Sequence, residues 1–254
     1  MRVDQIAAQL YTLREFCKDE QSLKETLQKV RAMGYEAVQV SGIGPIPHDV
    51  VKKLAEEAGL KICATHISYQ ALTENIEDVI AQHKLWDCKY VGLGSLPQEY
   101  QTSGEGYAEF AHNANQFAAK LAEHDLEFVY HNHHFEFTRF GPKTGMDILL
   151  EEGSKDFGFE LDLYWVQAGG VNPIEMIERV DGRMKVVHLK DMQIVDKQQV
   201  FAEIGEGSMN YKTIIDALRK IDVEWYVVEQ DVCRRDPFES LQISFNYLKQ
   251  LAIN

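Results

Sequence analysis

Residues 130–137 read YHNHHFEF, three histidines and a glutamate within eight positions at the end of an apolar run. Imidazoles and carboxylates bind divalent cations and move protons near neutral pH. Four other short apolar runs carry similar groups at their ends. KICATHIS (61–68) carries His66, and FGFELDLYWV (157–166) carries Glu160 and Asp162. MKVVHLKD (184–191) supplies His188 and Lys190, and WYVVEQD (225–231) supplies Glu229 and Asp231.

If these runs are strands, alternate side chains share a face. The period of two groups Glu160, Asp162 and Tyr164; Val186, His188 and Lys190; and Val227, Glu229 and Asp231. Carboxylates converging with an imidazole make an oxygen-rich site for Mn²⁺, Mg²⁺ or Co²⁺, with Zn²⁺ less well suited. Without a cation such carboxylates repel and raise one another's pKa. Glu136 has the opposite parity to His131 and His133. Period alone leaves its direction open, and a bulge or strand end beside the site would decide it.

The elements that must position these groups are legible along the whole chain. With IAAQLYTL (6–13), YEAVQV (35–40), YVGLG (90–94) and EFVYHNHH (127–134), the apolar runs number eight. They are short, β-branched or aromatic and bounded by turn residues, as buried strands are. Helical spacing separates them. Leu23, Leu27, Val30 and Met33 precede Gly34, and Val51, Leu54, Ala55 and Ala58 precede Gly59. Asn172-Pro173 and Asp236-Pro237 each offer an N-cap followed by a first-turn proline, and the last helix continues through Leu241, Phe245 and Leu248. Eight strand–helix units with no Pro/Gly/Ser-rich linker predict a single (β/α)8 TIM barrel over residues 1–254. A doubly wound sheet is the rival, but GLGSLP at 92–97 lacks the GxGxxG fingerprint.

Forty acidic against 26 basic residues give a net charge of −14, which disfavours nucleic acid as a partner. Four scattered cysteines without a CxxC pair fit a reducing compartment, and the early acids do not fit a signal peptide. No apolar run reaches membrane-spanning length, so the expectation is a cytoplasmic protein without a membrane partner. A homodimer or homotetramer is compatible with the chain.

QLYTLRE near the start, YHNHHFEF, the D-x-Y-W-V-x-x-A-G stretch at 162–170, HLKD, GEG at 205–207 and VVEQD together resemble the sugar phosphate isomerase/epimerase superfamily. These are the xylose-isomerase-like barrels, among them ketose 3-epimerases, hydroxypyruvate isomerase, inosose dehydratase and relatives of endonuclease IV. The resemblance covers essentially the whole chain. It implies one divalent ion, Mn²⁺ before Mg²⁺, Co²⁺ or Zn²⁺, held by Glu136, Asp162, His188 and Glu229. It also implies that Glu136 and Glu229 act as acid and base on a carbohydrate.

His66, His131, His133, Tyr164, Trp165, Lys190 and Arg234 are the expected substrate contacts. Each has a plainer reading. His188 could be a buried core histidine, Asp162 and Glu229 a salt-bridge network with Lys190, and His131 a backbone anchor. His133 could orient Glu136, Tyr164 and Trp165 could be packing aromatics, and Arg234-Arg235 a solvated charge pair. His134 is expected to face outward, and Gly205-Glu206-Gly207 to shape the loop after the seventh strand.

The implied chemistry is carbonyl chemistry: a chelated keto oxygen and its neighbouring hydroxyl, an enediolate, and two proton-transfer groups. Proton return, the leading expectation, gives epimerisation or aldose–ketose isomerisation of a sugar or sugar phosphate, and loss of a β-hydroxyl, giving dehydration or glycoside elimination, is the alternative. The nuclease branch carries an Asp-x-x-His step on the sixth strand, whereas this chain has Trp165 at that histidine position. A sugar-binding protein without catalysis is a further class, disfavoured because all four ligand positions are filled.

Overall fold

A computed structural model describes residues 1–252. Its central element is a closed barrel of eight parallel strands, each hydrogen-bonded to its neighbours in sequence order. They are β1 (Ile6–Gln9), β2 (Ala37–Val40), β3 (Lys61–His66), β4 (Tyr90–Leu93), β5 (Glu127–His131), β6 (Phe157–Asp162), β7 (Met184–Leu189) and β8 (Trp225–Val228). All eight expected runs contribute a strand. No helix among the described residues is long and apolar enough to cross a membrane.

The inward faces build the barrel in storeys. Ala7, Ala37, Cys63, Ala64, Tyr90, Val129, Val186 and Val227 pack as one apolar cluster inside it. A two-residue step along β1, β2, β5 and β7 leads from this floor to a polar storey, which β6 joins. It includes Gln9, Gln39, His131, Glu160 and His188, all buried. The outward faces join the larger core against the helices, where Phe128, Tyr130, Phe157 and Phe159 lie with Phe110 and Phe117. Burial of these apolar faces is the main stabilising term.

The helix signals place the ends as expected. Gly34 (φ 111°) and Gly59 (φ 70°) close helices α1 (Glu20–Met33) and α2 (His48–Ala58) in the left-handed region. Asp236 accepts the amides of Phe238 and Glu239 at 2.9 and 3.2 Å and starts the helix Pro237–Leu251. Asn172 caps Pro173–Arg179 through the Ile174 amide at 3.0 Å.

Every run outlasts its strand, and at three of them the site depends on where the strand stops. The first turns into a 3-10 segment at Leu10–Phe16, and the fifth ends at His131. The sixth stops at Asp162, where Leu163–Ala168 becomes helical. Tyr164 therefore does not continue the inward face of β6. After β7 comes a hairpin absent from the sequence reading, Asp191–Val195 paired with Gln198–Ala202. Its two-residue turn, Asp196-Lys197, has positive φ at both positions (49° and 66°) without the usual Asn-Gly signal.

Candidate active site

Strand register brings the polar ends together. Asp162 pairs with His188 across β6 and β7, His188 with Val227 across β7 and β8, and His131 with Glu160 across β5 and β6. One ligand atom from each of His131, Asp162, His188 and Glu229 lies within 4.8 Å of those of the other three, and all four residues are buried. His188 Nδ1 is 3.0 Å from Glu229 Oε2, and His131 Nε2 is 3.3 Å from Asp162 Oδ2. Asp162 divides its work. Oδ1 accepts the Trp165 amide at 3.0 Å and caps the helix Leu163–Ala168, while Oδ2 faces the cluster.

Lys190 completes the centre. Its ammonium reaches Asp162 Oδ2 at 2.9 Å, Glu229 Oε2 at 2.5 Å and Asp231 Oδ2 at 2.7 Å, with no exposed side-chain surface. Burial opposes charge on Lys190, but these three carboxylates outweigh it and hold its pKa well above the usual range. Burial likewise opposes ionisation of Glu229, yet Lys190 and His188 keep its carboxyl well below normal. For His188 the burial penalty is overcome by Glu160 and Glu229, which raise it to about 10. His131, desolvated and facing His188 and His66, is held well below its ordinary value and is neutral.

A second group lies beside the first. His66 Nε2 is 2.5 Å from Glu160 Oε2, and Gln39 donates to Glu160 Oε1 at 2.8 Å. Gln39 Oε1 in turn accepts from His188 Nε2 at 2.6 Å. Two glycines of β4 and its loop make room for His66. A Cβ at Gly92 would stand 2.2 Å from the Thr65 carbonyl oxygen, and one at Gly94 would stand 2.7 Å from His66 Nδ1. The GLG of YVGLG thus accommodates an imidazole rather than a phosphate.

Glu136 is placed differently from the expectation. Past His131 the chain leaves the strand and forms a 3-10 turn, Phe135–Phe137. That turn directs the Glu136 carboxylate to the outer side of β5, where Oε1 accepts from the Tyr130 hydroxyl at 2.6 Å and Oε2 from the His133 amide at 2.9 Å. Burial pushes its pKa up to about 7 against those hydrogen bonds. It does not meet the other three expected ligands, and His131 stands at the fourth corner instead.

Above the cluster opens a cavity of about 560 Å³ lined by Tyr11, Ser68, Tyr69, Ser95, His66, His131, His133, Glu229 and Asp231, among others. Of the expected substrate contacts, His66, His131 and His133 line it. Burial lowers His133 to about 3, so it is neutral there. Lys190 does not line it but contacts Glu229 and Asp231, which do. Tyr164 is buried against Phe201 of the extra hairpin, ring centroids 4.4 Å apart, and its hydroxyl accepts from Gln199 at 3.3 Å. Trp165 stacks on the exposed His134 at 5.1 Å. Neither aromatic lines the cavity. Arg234 is exposed and does not line it, and Arg235 pairs with Glu203 and Glu206 at 3.3 and 2.9 Å. Gly205 and Gly207 donate their amides to the buried Asp191 carboxylate at 3.0 and 3.2 Å, which shapes the loop carrying GEG.

Gln39 went unread because a glutamine in Ala-Val-Gln-Val looks like an exposed strand position. Its two-residue spacing from Ala37 is the signal that places it inside.

Comparison with known proteins agrees with this architecture. Inosose dehydratase of Clostridium botulinum (strain Alaska E43) is 21% identical over 272 residues, covering 92% of this chain and 91% of that protein. Two crystal structures of a sugar phosphate isomerase/epimerase from Parabacteroides distasonis superpose with a TM-score of 0.81 each. One is 22% identical and covers 98% of this chain and 94% of that one, and the other is 25% identical and covers 96% of each. Residues 27–251 match the family model described as Xylose isomerase-like TIM barrel. With that match spanning most of the sequence and the barrel closed in order around its buried polar storey, the chain belongs to the xylose isomerase-like TIM barrel family.

Proposed function

We propose that the protein is a metal-dependent enzyme acting on a keto sugar or keto-polyol, removing a proton beside the carbonyl and expelling a neighbouring hydroxyl as water. The observation that carries this reading is the convergence of His131, Asp162, His188 and Glu229 beside a polar cavity. Two imidazoles and two carboxylates with ligand atoms this close suit one ion with bonds of about 2.0–2.2 Å. A divalent ion held there supplies Lewis acidity to a substrate's keto oxygen and adjacent hydroxyl. The donor set suits Mn²⁺, Co²⁺ or Zn²⁺.

The chain's own groups divide the remaining work. Glu229 reaches both the cluster and the cavity wall, so it is placed to take the proton beside the carbonyl and is the base. His66 faces the same cavity with Glu160 behind it at 2.5 Å, the arrangement of an imidazole that donates a proton to a leaving hydroxyl. Ser68, Ser95, Tyr11 and Tyr69 offer hydroxyls to a polyol.

Glu136 is held by Tyr130 and the His133 amide and does not line the cavity, so two glutamates flanking one substrate carbon are not what supports this reading. Elimination needs a base at one carbon and an acid at the next, which Glu229 and His66 can supply. The curated relative's name, inosose dehydratase, supports the same branch. Epimerisation is the second reading, favoured by the names of the superposing Parabacteroides structures.

The test is to incubate metal-loaded protein with ketoses, keto-cyclitols and 3-keto-glycosides in D₂O and follow the products by NMR. Deuterium beside the carbonyl with loss of water is the expected result. Deuterium in a stereoisomer moves the assignment to epimerisation. No exchange by fully loaded protein across the panel overturns the reading.

A further inference from the structure

The oxygens offered to a metal are already held by a cation of the chain itself. Lys190 lies two residues beyond His188 on the same inward face of β7, and its ammonium contacts Asp162 Oδ2 and Glu229 Oε2 at 2.9 and 2.5 Å. These are the same two atoms that face the imidazoles. Asp162 Oδ2 is 3.3 Å from His131 Nε2 and 3.9 Å from His188 Nδ1. Glu229 Oε2 is 4.0 and 3.0 Å from those nitrogens in turn. An ion bound to all four donors and an ammonium at its present position would use the same oxygen lone pairs and stand as two adjacent cations. Both cannot be there.

The third contact gives the ammonium somewhere to go. Asp231 Oδ2 is 2.7 Å from Nζ and is not in the four-donor set. Its side chain is 25% exposed, on the cavity wall, where those of Asp162 and Glu229 are almost wholly enclosed. The aromatic faces of Trp165 and Phe201 stand 5.8 and 5.9 Å from Nζ and favour a cation beside them. Without the ammonium, His188 alone would face the two buried carboxylates as a cation, and removing one partner from such a group is strongly destabilising.

We propose that Lys190 is a built-in competitor for the metal: its ammonium fills the place between Asp162 and Glu229, and metal uptake moves it onto Asp231 at the cavity wall. This rests on the metal reading given above. It adds that the four-donor site carries its own counter-charge, that affinity is set by an exchange of cations, and that Lys190 reaches the substrate space only after the exchange.

The experiment measures Mn²⁺, Co²⁺ and Zn²⁺ affinity by competition with a chromophoric chelator, for wild type, Lys190→Met, Asp231→Asn and the double variant. Lys190→Met is expected to bind at least tenfold more tightly than wild type, because no ammonium has to leave. Asp231→Asn is expected to bind several-fold more weakly, because the displaced ammonium has lost its acceptor. In the Lys190→Met background the Asp231→Asn change should have little effect. If Lys190→Met alone does not fold, the double variant removes the ammonium and one carboxylate together, and it must bind more tightly than Asp231→Asn. Metal binding by Lys190→Met but not by wild type also supports the exchange. Equal or weaker binding on removal of Lys190, with wild type binding normally, overturns the exchange and leaves the metal reading standing. Absence of binding in every form overturns both.

Discussion

Gln39 Oε1 accepts a hydrogen bond from His188 Nε2 at 2.6 Å, which leaves Nδ1 of the same ring turned toward Glu229 and the cluster. The glutamine therefore fixes which nitrogen faces the other donors. Its own amide group is anchored on Glu160 at 2.8 Å, so the orientation is held from behind. Partners of this kind typically contribute 10- to 100-fold to metal affinity. Gln39→Leu should lose about that much in a chelator competition while keeping a native far-ultraviolet circular dichroism spectrum. Unchanged affinity would mean that His188 does not bind through Nδ1.

His131 and Glu136 make opposite predictions as fourth donor. His131 sits in the cluster, whereas Glu136 is held by Tyr130 and the His133 amide outside it. His131→Ala should lower metal affinity by about tenfold or more, in line with loss of one direct ligand. Glu136→Gln should leave affinity within about threefold of wild type, because no ligand is removed. The reverse order would restore Glu136 as a ligand and require the Phe135–Phe137 turn to rearrange on metal binding.

Glu136 also carries a pH signature. Burial raises its pKa from 4.5 to about 7, so between those values the folded protein holds a proton that the unfolded chain releases. Stability from this group is therefore greatest below pH 4.5, falls as pH rises toward 7 and is level above that. The full difference is on the order of 3 kcal/mol. Thermal melts of wild type and Glu136→Gln between pH 4.5 and 8 should show the variant gaining on wild type with rising pH. Parallel curves would mean that Glu136 titrates normally.

The reason Asp162, His188 and Glu229 were legible and Glu136 was not lies in where period two applies. Asp162 and His188 end or precede the end of regular strands, and Glu229 directly follows one, so alternation from Val186 and Val227 still holds. Glu136 lies five positions beyond the last strand residue, His131, inside a 3-10 turn that resets the direction. The same reset at Asp162 turns Tyr164 and Trp165 away from the cavity, because a strand-like apolar run continues there as a helix. Eight strands were readable because buried parallel strands are β-branched and continuous. The Asp191–Ala202 hairpin was not, because Asp196-Lys197 carries no glycine to announce its turn.

The division of proton transfer between Glu229 and His66 gives the last prediction. A general base contributes about 10²–10⁴-fold, and Glu229 is the ionised carboxylate at both cluster and cavity. Glu229→Gln, compared with wild type at equal measured metal content, should lose solvent exchange of the proton beside the carbonyl by about that factor, and product formation with it. His66 stands on the cavity wall with its imidazole on Glu160 rather than in the four-donor cluster. His66→Asn should therefore keep proton exchange near the wild-type rate while losing water release by about tenfold or more, since only the leaving hydroxyl lacks its proton donor. Gly94→Ala provides an independent way to the same effect, because the added Cβ would stand 2.7 Å from His66 Nδ1 and push the ring off Glu160. If His66→Asn instead abolishes exchange and Glu229→Gln retains it, the histidine is the base and Glu229 serves the metal alone.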